Sequence, residues 1–137
     1  MGYMDKKSSS ELIFVVMGEP ASKANQRRLV RLKNGRTMFI KSKKALDYAT
    51  NFDKDCMVLD DLFEGDLSVE MLIYYSTRRP DLDESLILDL MQGKIYKNDR
   101  QVKVKKIYWG LDKDNPRTVI SISKLEEDFL PTNFKDL

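Results

Sequence analysis

Asp81 and Asp83 stand two apart in Arg79-Pro80-Asp81-Leu82-Asp83-Glu84, and Asp99 opens a second acidic point in Asp99-Arg100-Gln101-Val102. Carboxylates set this way either exchange protons or hold a cation. The rest of the chain narrows the choice: it has no His and one Cys, Cys56, which removes His-dependent triads, the commonest general base, and zinc centres built from His and Cys. Oxygen ligands alone suit Mg²⁺ or Mn²⁺. Such a metal lowers the pKa of a bound water, orients it for in-line attack on a phosphodiester and neutralises charge on the phosphate, so no histidine is required. Spacing alone is weak support. Alternation along a strand would send Asp81 and Asp83 to opposite faces, and paired carboxylates are common in solvated turns. A loop must bring them round, and Asp99 must reach the same place.

The elements that would position them follow from periodicity and turn residues. Glu11–Met17 reads as a strand ended by Gly18-Glu19-Pro20. Arg27–Leu32 and Arg36–Ile40 flank Lys33-Asn34-Gly35 as a hairpin. Ser42 caps a helix to about Val58 whose inner face is Leu46, Ala49, Phe52, Asp53, Cys56 and Met57. Leu67–Tyr75 alternates as a strand, and a short helix runs from about Glu84 to Met91 with Gly93 as its stop. Strands at Val102–Trp109 and Arg117–Ser123 close the order. The expected fold is α+β, a small mixed sheet carrying a basic N-terminal hairpin with two helices packed on it. Residues 1–10 are expected to be a flexible N-terminus, 11–124 one domain, and 125–137 an acidic tail.

Net charge is only +2, but residues 1–50 hold eleven Lys and Arg against four Asp and Glu, and the last thirteen residues hold one against four. Lys23, Arg27, Arg28, Arg31 and Arg36 thus form a candidate phosphate-binding surface, acting by counterion release. The plainer alternative is a solvated hairpin. The apolar run Leu12 to Met17 is far too short to span a bilayer, no secretory leader is expected, and a lone cysteine fits a reducing, cytoplasmic setting. No Walker-type phosphate loop is present, so ATP-driven chemistry has no support.

Arg79-Pro80-Asp81-Leu82-Asp83, an apolar helix ending Asp89-Leu90-Met91-Gln92-Gly93, and Ile95-Tyr96-Lys97-Asn98-Asp99-Arg100-Gln101-Val102 together resemble the RusA family of Holliday-junction resolvases. Gly18-Glu19-Pro20, Lys23 and Gln26-Arg27-Arg28 are similar to that family's N-terminal segment, and the likeness covers about residues 12–123. It implies a homodimer that makes Mg²⁺-dependent cuts in four-way DNA junctions, common on phages and prophages in bacterial hosts. It also implies that Asp81, Asp83 and Asp99 bind the metal and catalyse. Two departures stand out. The family has Asn after the second Asp and a Lys in the following helix; here Glu84 follows Asp83, and Ser85-Leu86-Ile87-Leu88 holds no Lys. Glu84 is either a fourth metal ligand or a helix-start carboxylate, and Lys94 or Lys97 could turn inward. Asn98 stands where a second acid is common. The alternatives are a junction-binding protein of this fold that does not cut, and a flap or fork nuclease.

Overall fold

The computed structural model describes residues 3–8, 11–127 and 129–134. Leu67–Tyr75 forms an inner strand, β5, because every second residue is apolar: Leu67, Val69, Met71, Ile73 and Tyr75 are buried on one face. Around it lie β1 (Tyr3–Ser8), β2 (Glu11–Met17), β6 (Val102–Leu111) and β7 (Arg117–Lys124), in the order β1-β2-β7-β5-β6. All neighbours are antiparallel except β5 and β6, which run parallel from Leu67↔Val102 to Tyr75↔Leu111. A parallel pair needs a crossover. Here it contains the short helix α2 (Ser85–Met91), which buries Leu86, Ile87 and Met91.

Leu12, Phe14 and Val16 of β2, with Ile120 and Ile122 of β7, continue the apolar face. The longer helix α1 (Lys43–Asp55) packs on it, capped by the Ser42 hydroxyl at Ala45 N. Its inner face is Ala45, Tyr48, Phe52 and Asp55, while Leu46 and Met57 are exposed. That face is turned by a residue from the expected one, and the helix ends at Asp55 rather than near Val58. A carboxylate sets this geometry: Asp55 Oδ2 accepts the Met17 N–H at 2.8 Å, tying the helix end to the end of β2. Hydrophobicity patterns cannot register a buried acid with a backbone partner.

Arg27–Arg31 (β3) and Thr37–Lys41 (β4) pair as a separate two-stranded ribbon. Its turn is the three-residue form. Gly35 N–H bonds Leu32 O, Leu32 N–H bonds Arg36 O, and Gly35 takes φ +84°, a left-handed value that glycine adopts without strain.

At the N-terminal end, Tyr3–Ser8 is an edge strand, with Tyr3↔Val15, Met4↔Phe14 and Asp5↔Ile13 in register; it meets backbone groups that β2 would otherwise leave unpaired. Residues 1, 2, 9 and 10 lie outside the described residues. In the acidic tail, Leu125 N–H bonds Asp66 O and Thr132–Phe134 makes one 3₁₀ turn, while 128 and 135–137 lie outside the described residues.

Candidate active site

The loop after β5 turns back across the sheet and is pinned by residues whose types are ordinary for strands. Tyr75, the last residue of β5, accepts the Asp83 N–H at 3.2 Å and donates to the Asp81 carbonyl at 3.3 Å. One buried hydroxyl therefore fixes the backbone of both aspartates. Behind it Trp109 of β6 stacks on the Tyr75 ring, centroids 5.9 Å apart, and its indole N–H reaches Pro80 O at 3.1 Å.

Asp83 is held by its carboxylate as well. Oδ2 accepts the Lys23 backbone N–H at 2.6 Å and Oδ1 accepts the Ser85 N–H at 2.9 Å. Partial burial alone would raise its pKa, but these hydrogen bonds and the Lys23 charge outweigh it, so the carboxyl lies below its ordinary value and is ionised at neutral pH. Asp81 is exposed, and its carboxylate has no hydrogen bond or ion pair among the described residues. The two thus differ: Asp83 is anchored and Asp81 is available.

Asp81 lines a cavity of about 360 Å³ together with Pro20, Ser22, Asn25, Lys44 and Arg79. Glu19 holds the lining residue Lys44, accepting its ammonium at 2.7 Å while also taking the Ser76 N–H and hydroxyl at 2.9 and 3.1 Å. Partial burial opposes ionisation of Glu19, but Lys44 and Ser76 together leave its pKa lowered. The turn before it needs glycine: Gly18 has φ +98°, and a Cβ there would meet the Asn51 amide at 2.8 Å. The Gly-Glu-Pro sequence is therefore structural, holding residues 20–25 against the acidic loop.

Asp99 does not join the pair within one chain. It precedes β6 at the end of the sheet where β5 begins, and its N–H donates to Gln92 Oε1 at 3.2 Å, beyond the C-terminal end of α2. Asp83 sits at the other end of that helix, which is ~10 Å long at 1.5 Å per residue. Among the described residues no three acidic or thiol groups lie close enough together to hold a metal. The seven-residue helix α2 thus stands between Asp99 and the Asp81–Asp83 pair. Gln101 fixes the Asp99 turn, accepting from Lys97 and Asn98 N–H and donating to Phe63 and Gly65 carbonyls.

Of the other expected residues, Lys23 contributes its backbone at the site while its side chain is exposed. Arg27, Arg28, Arg31 and Arg36 lie exposed on the ribbon, in no ion pair among the described residues. Leu29 and Phe39, a cross-strand pair on the face shared with Arg27 and Arg31, are 60% and 66% exposed. Glu84 binds the Lys105 ammonium at 2.7 Å. Lys94 does not turn inward; it pairs with Asp53 of α1 at 2.9 Å. Lys97 borders a larger cavity, about 670 Å³, with Asp60, Asp61 and Glu64. That cavity lies at the β5 start and touches neither Asp81 nor Asp83, so size does not mark the site.

Sequence reasoning placed the acidic loop but missed Tyr75 as its tether, Lys44 of the cavity wall with the Glu19 that holds it, and Lys105. Tyr75 was legible only as a strand aromatic; its separation from Asp81 and Asp83 is too large for any local motif.

A carboxylate pair, one anchored and one free, beside a cavity with cationic walls defines an acidic centre for a polyanionic substrate. The family model for endodeoxyribonuclease RusA matches residues 18–123, most of the chain. The chain belongs to the RusA family, and is accordingly an endodeoxyribonuclease of the Holliday-junction resolvase kind. Nothing among curated proteins matches it. No helix among the described residues is long and apolar enough to cross a membrane.

Proposed function

We propose that the protein is a homodimeric, Mg²⁺-dependent nuclease that resolves four-way DNA junctions, with Asp81 and Asp83 as the metal-holding pair. The observation that carries this is the contrast between them: Asp83 tied down and ionised by two backbone N–H groups, Asp81 free at the rim of a cavity walled by Lys44 and Arg79. The donor set fits the ion, because Mg²⁺ commonly uses one or two carboxylates and fills its remaining positions with water and substrate phosphate. When bound it supplies a water of lowered pKa and charge compensation on the phosphate. The chain's own part is positional. Tyr75 and Trp109 keep the loop rigid, Asp83 is presented already ionised, and the ribbon arginines grip phosphates flanking the branch.

Asp99 enters this reading from the other protomer. In one chain α2 stands between it and the pair; in a homodimer, Asp99 of one protomer would complete the site of its partner. The absence of any cation on α2 favours a second reading, a protein that holds junctions without cutting them.

One set of reactions separates these. A labelled four-way junction is incubated with wild type, Asp81→Asn and Asp99→Asn, in Mg²⁺, Mn²⁺ and EDTA, and then with the two variants mixed and re-equilibrated. Metal-dependent paired nicks lost in each variant support the nuclease; binding without incision supports the second reading. Mixing tests the shared site, because a heterodimer keeps one intact site only if Asp99 acts across the interface. A mixture as inactive as its parts refutes the shared arrangement. Flap and fork substrates run alongside identify the preferred branch.

A further inference from the structure

The acidic loop carries three carboxylates in four residues, Asp81, Asp83 and Glu84, and a single cation is bonded to any of their side chains among the described residues. Lys105 of β6 approaches Glu84 Oε2 to 2.7 Å. Its side chain is 45% exposed and that of Glu84 is 20% exposed, so the carboxylate is the sheltered anchor and the ammonium is the group that faces out.

β6 holds the loop at both ends. Lys105 and Trp109 share the strand face toward α2, being the register partners of the buried Val69 and Ile73. Trp109 fixes Pro80 and Lys105 meets Glu84, so the five residues of strand from Lys105 to Trp109 span the five loop residues from Pro80 to Glu84 in reverse. The ammonium is thereby held to the residue adjoining Asp83. Lysine has three donors and one is spent on Glu84, leaving two for an incoming acceptor. On α2 itself no cation is available: Ser85–Met91 contains none, and Ile87, one turn beyond Asp83, is fully buried.

We infer that Lys105 is the phosphate-positioning cation of this site, supplied from strand β6 and aimed by Glu84, which acts as its anchor and not as a metal ligand. The inference rests on the nuclease reading above and adds a residue to it. Its chemistry is charge compensation: with Glu84 neutralised by the pair, Asp81 and Asp83 remain for the metal, and the ammonium meets the non-bridging oxygens of the phosphate, where negative charge grows during attack.

The test compares Lys105→Gln, Lys105→Arg, Glu84→Gln and Lys106→Gln, a neighbour on the opposite strand face, with wild type and Asp81→Asn. Three quantities are read: cleavage rate at saturating junction, junction Kd in EDTA, and Mn²⁺ affinity of the protein alone by electron paramagnetic resonance. Lys105→Gln is expected to cut ~100-fold more slowly, the scale for losing one preorganised donor to a developing oxyanion. Its junction Kd should stay within about threefold, since one phosphate contact adds little to a broad basic surface. Lys105→Arg should recover much of the rate, Glu84→Gln should be slowed with Mn²⁺ affinity unchanged, and Lys106→Gln should match wild type. Retained junction binding shows that each variant is folded.

Lys105→Gln cutting at the wild-type rate while Asp81→Asn is inactive would overturn the assignment and leave the nuclease reading standing. Glu84→Gln weakening Mn²⁺ as much as Asp81→Asn would make Glu84 a metal ligand and overturn it as well. Wild type that binds junctions but never cuts would remove both together.

Discussion

The Tyr75 hydroxyl accepts the amide of Asp83 at 3.2 Å while donating to the carbonyl of Asp81 at 3.3 Å. It is a buried group at a strand end holding two loop residues six and eight positions away. Burial first, and the nearby carboxylates second, raise its pKa against the opposing effect of the Asp83 N–H, so the phenol stays protonated and remains a donor.

Removing that hydroxyl tests whether the loop must be rigid. Tyr75→Phe keeps the ring stacked on Trp109 but leaves the Asp83 N–H and Asp81 carbonyl short of a partner, a cost of about 1–3 kcal/mol where the groups stay buried. Cleavage at saturating junction is expected to drop at least tenfold, with junction affinity little changed. An unchanged rate would show that the loop finds its working geometry without the tether.

The ribbon is expected to govern affinity and not chemistry. Arg27 and Arg31 lie on one face, opposite Lys41 and Thr37 respectively. Substituting both by Gln should weaken junction binding and flatten the dependence of log K on log salt by about 0.9 per lost phosphate contact. The rate at saturation should hold. A salt slope equal to that of wild type would remove the ribbon from the DNA-binding surface.

Asp83 gives a pH dependence of defined sign. Its folded pKa is lowered, so its stabilising contribution is complete above the unfolded value of about 3.9 and disappears as pH falls through the folded value. Asp83→Asn loses one charged acceptor, so at pH 7 it should melt lower than wild type. The side chain is partly solvated, so the contribution is discounted to about 1 kcal/mol or less, roughly 2–4 °C for a chain of this size. The gap between the two melting curves should close as pH falls below the lowered folded value. A gap that persists there would show that the carboxylate's charge is not what links Lys23 to the loop.

Much of the site was local enough to read directly. Asp81, Asp83 and Asp99 identified themselves by residue type, by the missing histidines and by the short motif around each, and the alternation of β5 and the Gly35 turn fixed their neighbours. The face of α1 was misplaced by a residue because Asp55 is buried on a backbone N–H of β2, a partner 38 positions away. The edge strand Tyr3–Ser8 was unreadable for a related reason: Asp5-Lys6-Lys7 is polar, and its place depends on the open edge of β2, not on its own preferences.

The sequence by itself determined the chemistry: an oxygen-only donor set, a basic N-terminal half and a family pattern for cutting DNA. Tertiary structure decided the grouping. The parallel pairing of β5 and β6 sets Asp99 at one end of α2 and Asp83 at the other, because a parallel crossover must carry the chain back along the sheet before the next strand begins. The same pairing lays Lys105 and Trp109 beneath the acidic loop. Neither result is present in the spacing of the residues, since both depend on which strands lie side by side.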